Sequence, residues 1–416
     1  MKSHFPFIKA VFFHTVTAFG GPQSQLGLLL KSLAEKNKFF SKEEVLDVHL
    51  FCQMLPGATA TQTIALLGFK RGGFQLALVT LLLWVLPATI FMSLYSFLVA
   101  SDNSISLSLL RYIQPMALAF LCFGSFKTMG VINSSSSRFI FLISFISVFV
   151  FFQLPWIFPI VIVFGGLTGY FIHPPNKVTS HRKNIRIHLS PLFLFITIFI
   201  TAGILSEQAR KQSWTYRAPF NLFENMYRFG SYVFGGADVL IPVMYNQYVV
   251  RPVTPRIQSA NKDVIKIERQ VFLNAAGVVR AIPGPAFSIA AFIGGRSLSN
   301  RSFGYQLMGC TIAAIGIFLP SFLLGIFFYP LWENMKNHEM LRRAMLGINA
   351  AVVGIMFAGA IYLFQDSFVA LQTQPLSFTI PFLLVFLLTL LLLFFTNTAA
   401  PFIVCGTIML GAFHLL

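Results

Sequence analysis

Charge is what this chain lacks most. Only 10% of its 416 residues are charged, against about 25% in a soluble globular protein. A folded chain of this length cannot cover a water-facing surface with so few charges, so most of that surface must face lipid. Acid is scarcer still: 13 Asp and Glu stand against 30 Lys and Arg. No carboxylate cluster and no Ser-His-Asp spacing points to an enzyme, so no catalytic residue is assigned. Cysteine is also sparse. Cys52, Cys122, Cys310 and Cys405 lie apart in apolar context and read as small buried hydrophobes. There is no CxxC or HExxH spacing and no GxxxxGK[ST] phosphate loop, so neither a metal nor any other cofactor is expected.

What is abundant is apolar. Hydrophobic residues make up 56% of the chain, 49 of them Phe, and the mean hydropathy is +0.75. Together these predict an all-α polytopic membrane protein, with length for about ten crossings at roughly 20 residues each. The net charge of +17 is not that of a nucleic-acid binder. The cations sit between hydrophobic runs, as at Lys177, Arg182, Lys183 and Arg186, which is how loops retained on the cytoplasmic side are marked. Excess positive charge near a pore mouth would also concentrate anions there. Lys2 and Lys9 precede an apolar run, but no small-residue cleavage signature follows at Phe19-Gly20-Gly21-Pro22, so the N-terminus reads as mature protein.

Apolar segments run over about 72–100, 109–130, 139–172, 190–206, 303–330, 344–365 and 376–416. The segments 139–172 and 376–416 are long enough for two crossings each, with turns at Gln153-Leu154-Pro155 and Thr396-Asn397-Thr398. Regions 5–66 and 220–293 are apolar but interrupted by Gly and Pro, and 173–189 is a hydrophilic linker.

A repeat organises these segments. Phe19-Gly20-Gly21 is echoed by Phe234-Gly235-Gly236, and Leu55-Pro56-Gly57-Ala58 by Ile282-Pro283-Gly284-Pro285. Gly68 and Gly295 each follow the matched proline by 12 residues, with Lys70 and Arg71 or Arg296 just after. Leu86-Pro87 then matches Leu319-Pro320, and Arg111 matches Arg343. The chain therefore divides into a first repeat at 1–172, a basic linker with a connecting transmembrane segment at 173–217, and a second repeat at 218–416. Counting cations favours inverted-topology repeats. With 70–71 inside, the loops near Asp102 and Asp366 fall outside, and Lys336, Arg342 and Arg343 fall inside. Arg210, Lys211 and Arg217 fall on the outer side and fit this arrangement poorly.

Gly-Gly-Pro and Pro-Gly interruptions are costly at membrane depth, because proline removes a donor and glycine weakens the helix. Unwound backbone survives there only where protein or a wet cavity surrounds it, and matched interruptions in two repeats point to a transporter's binding site. A half-helix restarting after Gly57 or Gly284 presents amide groups and a positive dipole end, which suits an anion. The candidate substrate-binding set is therefore Gly20, Gly21, Pro22, Gln53, Pro56, Gly57, Thr59, Thr61 and Gln62 in the first repeat. In the second it is Gly235, Gly236, Arg280, Pro283, Gly284, Pro285 and Ser288. The alternative for any single break is a kink that only lets helices pack.

Charges in apolar context are functional candidates. Arg280, three residues before Pro283, could hold an oxyanion in a bidentate fork. Asp238 either carries a coupling proton or pairs with Arg280 as a structural ion pair. Arg228 and Glu224 lie one turn apart and can pair with each other. His14 and His49 read as packed, hydrogen-bonded histidines rather than proton relays.

Taken together, Ala18-Phe19-Gly20-Gly21-Pro22-Gln23, Phe39-Phe40-Ser41-Lys42-Glu43-Glu44, Cys52-Gln53-Met54-Leu55-Pro56-Gly57, Val233-Phe234-Gly235-Gly236, Ala281-Ile282-Pro283-Gly284-Pro285, Phe318-Leu319-Pro320-Ser321-Phe322 and Gly347-Ile348-Asn349-Ala350-Ala351 resemble the chromate transporter family in its long, two-domain form. The resemblance implies a secondary transporter that exports chromate, with sulfate a related oxyanion, across the cytoplasmic membrane and so confers resistance. This sequence departs from the family pattern in three places. Ala58 stands where a second proline is expected, Arg280 stands where the family usually has glutamine, and the second inter-motif loop is twelve residues longer, at 251–268.

The expected partners are an inorganic oxyanion and the lipid bilayer, with a homo-oligomer possible and no nucleic acid. The competing classes are a passive anion channel, a structural membrane subunit, and a lipid-modifying membrane enzyme using His14 or His49.

Overall fold

The computed structural model describes residues 4–19, 22–100, 110–173, 188–259, 264–299, 302–332, 338–396 and 398–413. Gly20, Gly21, Asp102, Lys177, Arg182, Lys183, Arg186, Lys336 and Asn397, all used in the reading above, lie outside these residues. No strand occurs among the described residues. Among the described residues, five helices are long and apolar enough to cross a membrane: Thr59–Val99, Ser190–Lys211, Phe303–Leu331, Glu339–Leu371 and Leu376–Phe395. Phe5–Thr17, Ser135–Val150, Ile157–Ile172 and Ala400–Ala412 are apolar but shorter. Large apolar side chains such as Phe193, Leu384 and Phe402 are exposed along these helices, as a lipid-facing surface requires. The chain is an all-α, multi-pass membrane protein.

The expected turns hold. The apolar run 139–172 resolves into Ser135–Val150 and Ile157–Ile172 on either side of Gln153-Leu154-Pro155, and 376–416 into Leu376–Phe395 and Ala400–Phe413. A further break falls at the start of the apolar run 72–100, just after Lys70 and Arg71. The helix Thr59–Ala100 loses helical geometry at Gly72 and at Gly73, whose φ is +69°, so it is a half-helix at 59–71 followed by a long one at 74–100. The second repeat has the same layout in Ile289–Ser297 and then Phe303–Phe328.

Contacts divide the chain into two units that interleave the sequence repeats. Unit 1 comprises Met1–Ser101, Thr179–Gly236 and Ile282–Asn337; unit 2 comprises Asp102–Val178, Ala237–Ala281 and His338–Leu416. Each unit therefore takes chain from both repeats.

Small residues set the packing in both units, as in membrane interiors where backbones must approach closely. In unit 1, Gly294 and Gly309 each lie against the other's carbonyl, and Gly230 lies against the Ile317 carbonyl and Pro320. In unit 2, Gly165 and Gly169 lie against Gly347, and Gly354 against the Phe141 carbonyl and Ser144. The helix Lys42–Gln53 starts with a reciprocal cap: the Glu44 amide donates to Ser41 Oγ, and the Ser41 amide to Glu44 Oε2. Lys70 donates to the same carboxylate at 2.6 Å. These bonds, that from Lys70 foremost, hold the Glu44 carboxyl below its ordinary range.

Candidate functional site

The two Pro-Gly breaks adopt one backbone conformation. The bend at 54–57 is repeated at 281–284, and the glycines at matching places have φ of +117° (Gly57) and +119° (Gly284). Only glycine enters this region without strain. Both glycines belong to unit 1.

Their hydrogen bonds exchange between the repeats. The Gly57 amide donates to the Val233 carbonyl at 2.7 Å, and the Gly284 amide to the Ala18 carbonyl at 3.3 Å. Val233 and Ala18 occupy the same motif position, one residue ahead of Phe-Gly-Gly. The packing exchanges as well. A Cβ on Gly57 would stand 2.3 Å from the Cβ of Ser321, and one on Gly284 would stand 2.9 Å from that of Ala88. Ser321 and Ala88 each follow the matched helix proline, Pro320 or Pro87. When element A of one copy meets element B of the other, and B meets A in return, the copies are related as across a two-fold axis. The matched motifs of the two repeats thus make reciprocal contacts within unit 1.

Glutamines secure the breaks. Gln62 Nε2 donates to the Pro56 carbonyl at 2.8 Å and to the Ser321 carbonyl at 3.2 Å, and Gln25 Nε2 to the Gly284 carbonyl at 3.1 Å. Two carbonyl acceptors require the amide nitrogen of Gln62 to face them, which leaves its buried Oε1 without a partner. Replacing Gln62 by Leu removes both bonds and leaves the Pro56 carbonyl unsatisfied, while the Ser321 carbonyl keeps its place in the helix Phe303–Phe328. The expected cost is roughly 2–4 kcal/mol, read as a lowered melting temperature of the purified protein, with Gln62→Glu recovering less than half of it.

The donors available to a ligand lie just beyond the glycines. Helical bonding after Pro56 begins with the Gln62 amide on the Ala58 carbonyl, so the amides of Thr59, Ala60 and Thr61 have no partner inside the helix. In the second repeat, Pro285 brings no N–H, and the Ser288 amide bonds back to the Pro285 carbonyl. The Ser288 side chain is fully buried, and its Oγ has no hydrogen-bond partner. Thr61 accepts from Trp84 Nε1 at 3.1 Å.

The remaining predicted residues divide as follows. Pro56, Gly57, Thr59, Thr61, Gln62, Gly235, Gly236, Pro283, Gly284, Pro285 and Ser288 fall in unit 1, as does Gln53, which is exposed and bonds to His49 at 3.3 Å. Gly235 and Gly236 both have φ of +83°. Pro22 opens the helix Pro22–Leu29. Arg280 and Asp238 belong to unit 2, where they form an ion pair, with side chains 10% and 14% exposed. Gly124 leaves room for the Asp238 carboxylate, and the Arg280 guanidinium lies 5.8 Å from the Phe120 ring centre. Arg228 and Glu224 pair at 3.1 Å. His14 stacks on Trp84, and His49 Nδ1 lies 3.2 Å from Thr63 Oγ1, so both histidines are packed residues. Among the described residues no group of His, Cys, Asp and Glu could hold a metal ion. Gln25 and Ser321 are the site residues that sequence reasoning did not single out.

The family described as chromate transporter matches residues 6–170 and again 220–412, one match per repeat. The chain belongs to the chromate transporter family. Its similarity to a chromate transport protein of Cupriavidus metallidurans is 21% identity over 398 residues, covering 94% of this chain and 88% of that protein. A chromate transport protein of Pseudomonas aeruginosa is 22% identical over 360 residues, covering 84% and 78%. An uncharacterized transporter of Methanocaldococcus jannaschii is 21% identical over 349 residues, covering 82% and 80%. No solved structure matches the chain. The family is one of transporters, and the chain's apolar helices place it in a membrane as a multi-pass protein.

Proposed function

We propose that this protein is a secondary transporter that exports chromate, with sulfate-like oxyanions as related cargo, across the cytoplasmic membrane and thereby confers chromate resistance. The observation that carries the reading is the buried, unpartnered Ser288 hydroxyl at the restart of one broken helix, matched by the unpaired first-turn amides of the other. Such a set offers hydrogen-bond donors and a positive dipole end without a basic side chain, which suits a dianion that must be released again. Pro56, Gly57, Thr59, Thr61, Gln62, Pro283, Gly284, Pro285 and Ser288 form this site, and Gly235 and Gly236 supply the bend beside it. Arg280 already carries a carboxylate partner in unit 2, so its charge is assigned to that pair rather than to the cargo. The two repeats are assigned opposite membrane orientations, as their cations suggest. The names of the relatives from Cupriavidus and Pseudomonas support chromate as cargo.

An anion panel tests recognition. A ligand that binds only the folded state raises thermal stability by RT ln(1 + [L]/Kd). Chromate and sulfate are expected to raise the melting temperature of the purified protein, with nitrate and chloride giving no shift. The chromate and sulfate shifts are expected to shrink in Ser288→Val. Equal shifts for all four anions, or none for chromate, would overturn the assignment.

A further inference from the structure

Unit 2 holds a cavity of about 420 Å³ whose polar lining comes from Arg111, Gln114, Arg269, Gln270, Ser367 and Gln374. These residues lie at helix ends. Arg111 and Gln114 flank the start of Ile113–Thr128, Arg269 opens Arg269–Val278, and Ser367 lies in the last turns of Glu339–Leu371. We infer that this cavity is a second oxyanion site, built for a tetrahedral dianion such as sulfate or chromate and separate from the broken helices.

Four observations carry the inference. First, the lining offers arginines, amides and a hydroxyl, and no carboxylate among the described residues. Second, the Arg111 guanidinium is held 4.2 Å from the Phe378 ring centre, and its buried Nε has no hydrogen-bond partner. The ring orients the guanidinium while leaving its nitrogens free to form a fork on an oxyanion. Third, Ser367 is only 4% exposed and its Oγ has no partner, an unmet donor that a bound anion or water would satisfy. Fourth, the charges of the described residues at the site sum to a cation. Arg269 donates to the Asp366 main-chain carbonyl at 2.9 Å and lies 3.9 Å from its carboxylate, which also accepts the Tyr245 hydroxyl. Asp366 can offset one arginine and not both. The cavity is large enough to keep water around a single tetrahedral anion, which favours a loading site over a tight trap.

The inference rests on the proposed function for its choice of anion class, so the test separates the two. Sulfate is titrated calorimetrically into the full-length protein in detergent. Arg111→Gln with Arg269→Gln is expected to weaken one class of binding at least tenfold, and Ser367→Ala to weaken the same class threefold or more while melting near the wild-type temperature. Ser288→Val is expected to leave that class unchanged, so loss at Ser288 alone concerns the broken-helix site and not the cavity. Unaltered sulfate binding in both the double-arginine and the Ser367 variants overturns the inference. In a second arm, nanodiscs with and without phosphatidylglycerol separate a lipid phosphate from a free oxyanion. Sulfate affinity at the arginine site should be the same in both. Displacement of sulfate by phosphatidylglycerol, with lipid binding lost in Arg111→Gln, overturns the free-anion assignment.

Discussion

Alanine at Gly57 is expected to destabilise the protein by roughly 2–6 kcal/mol. The strained backbone contributes about 1–3 kcal/mol and the overpacked contact a similar amount. The φ of +117° admits a side chain only with strain, and the added Cβ would stand 2.3 Å from the Cβ of Ser321. Gly284→Ala carries the same backbone strain at +119°, but its nearest contact is 2.9 Å, to Ala88, so its cost should be smaller. The two contributions can be separated. Ser321→Gly in the Gly57→Ala background should relieve the contact and leave the strain, restoring part of the loss. Thermal unfolding of the purified variants gives the ranking, and a Gly57→Ala protein that melts with the wild type would mean that the break is not held as described.

The second large effect concerns the charge pair of unit 2. Neutralising either Asp238 or Arg280 alone strands the other as a buried charge, which costs roughly 3–5 kcal/mol. Removing both, as Asp238→Leu with Arg280→Met, should recover most of that stability, because a buried pair contributes little beyond its own desolvation. The double variant should also keep chromate flux that responds to an imposed proton gradient. Stability regained with flux lost would instead make Arg280 a ligand to the anion. Flux regained without any response to pH would make Asp238 the coupling group.

The breaks were legible because proline and glycine in an apolar run have few physical explanations, and two matched pairs left fewer. Their partners were not. That the Gly57 amide reaches Val233, and the Gly284 amide Ala18, follows from how the repeats fold against each other, which no local pattern encodes. Gln25 was missed for the same reason, since a lone glutamine carries no periodic signature. The Gly72-Gly73 break follows Lys70 and Arg71, where the apolar run 72–100 begins, so its place was legible while the left-handed backbone at Gly73 was not. Arg111 was visible only as a repeat landmark; its role emerges when Phe378, Arg269 and Ser367 meet it around one cavity. Arg280 and Asp238 were picked out as charges in apolar context, and their mutual contact is the reason the anion is assigned to neutral donors.

Proteoliposomes loaded with the purified protein and supplied with labelled chromate test the transporter assignment most directly. Chromate flux should saturate with concentration, fall when sulfate competes, and respond to an imposed proton gradient. Flux no greater than in protein-free vesicles, or flux that rises linearly without saturating, would contradict it.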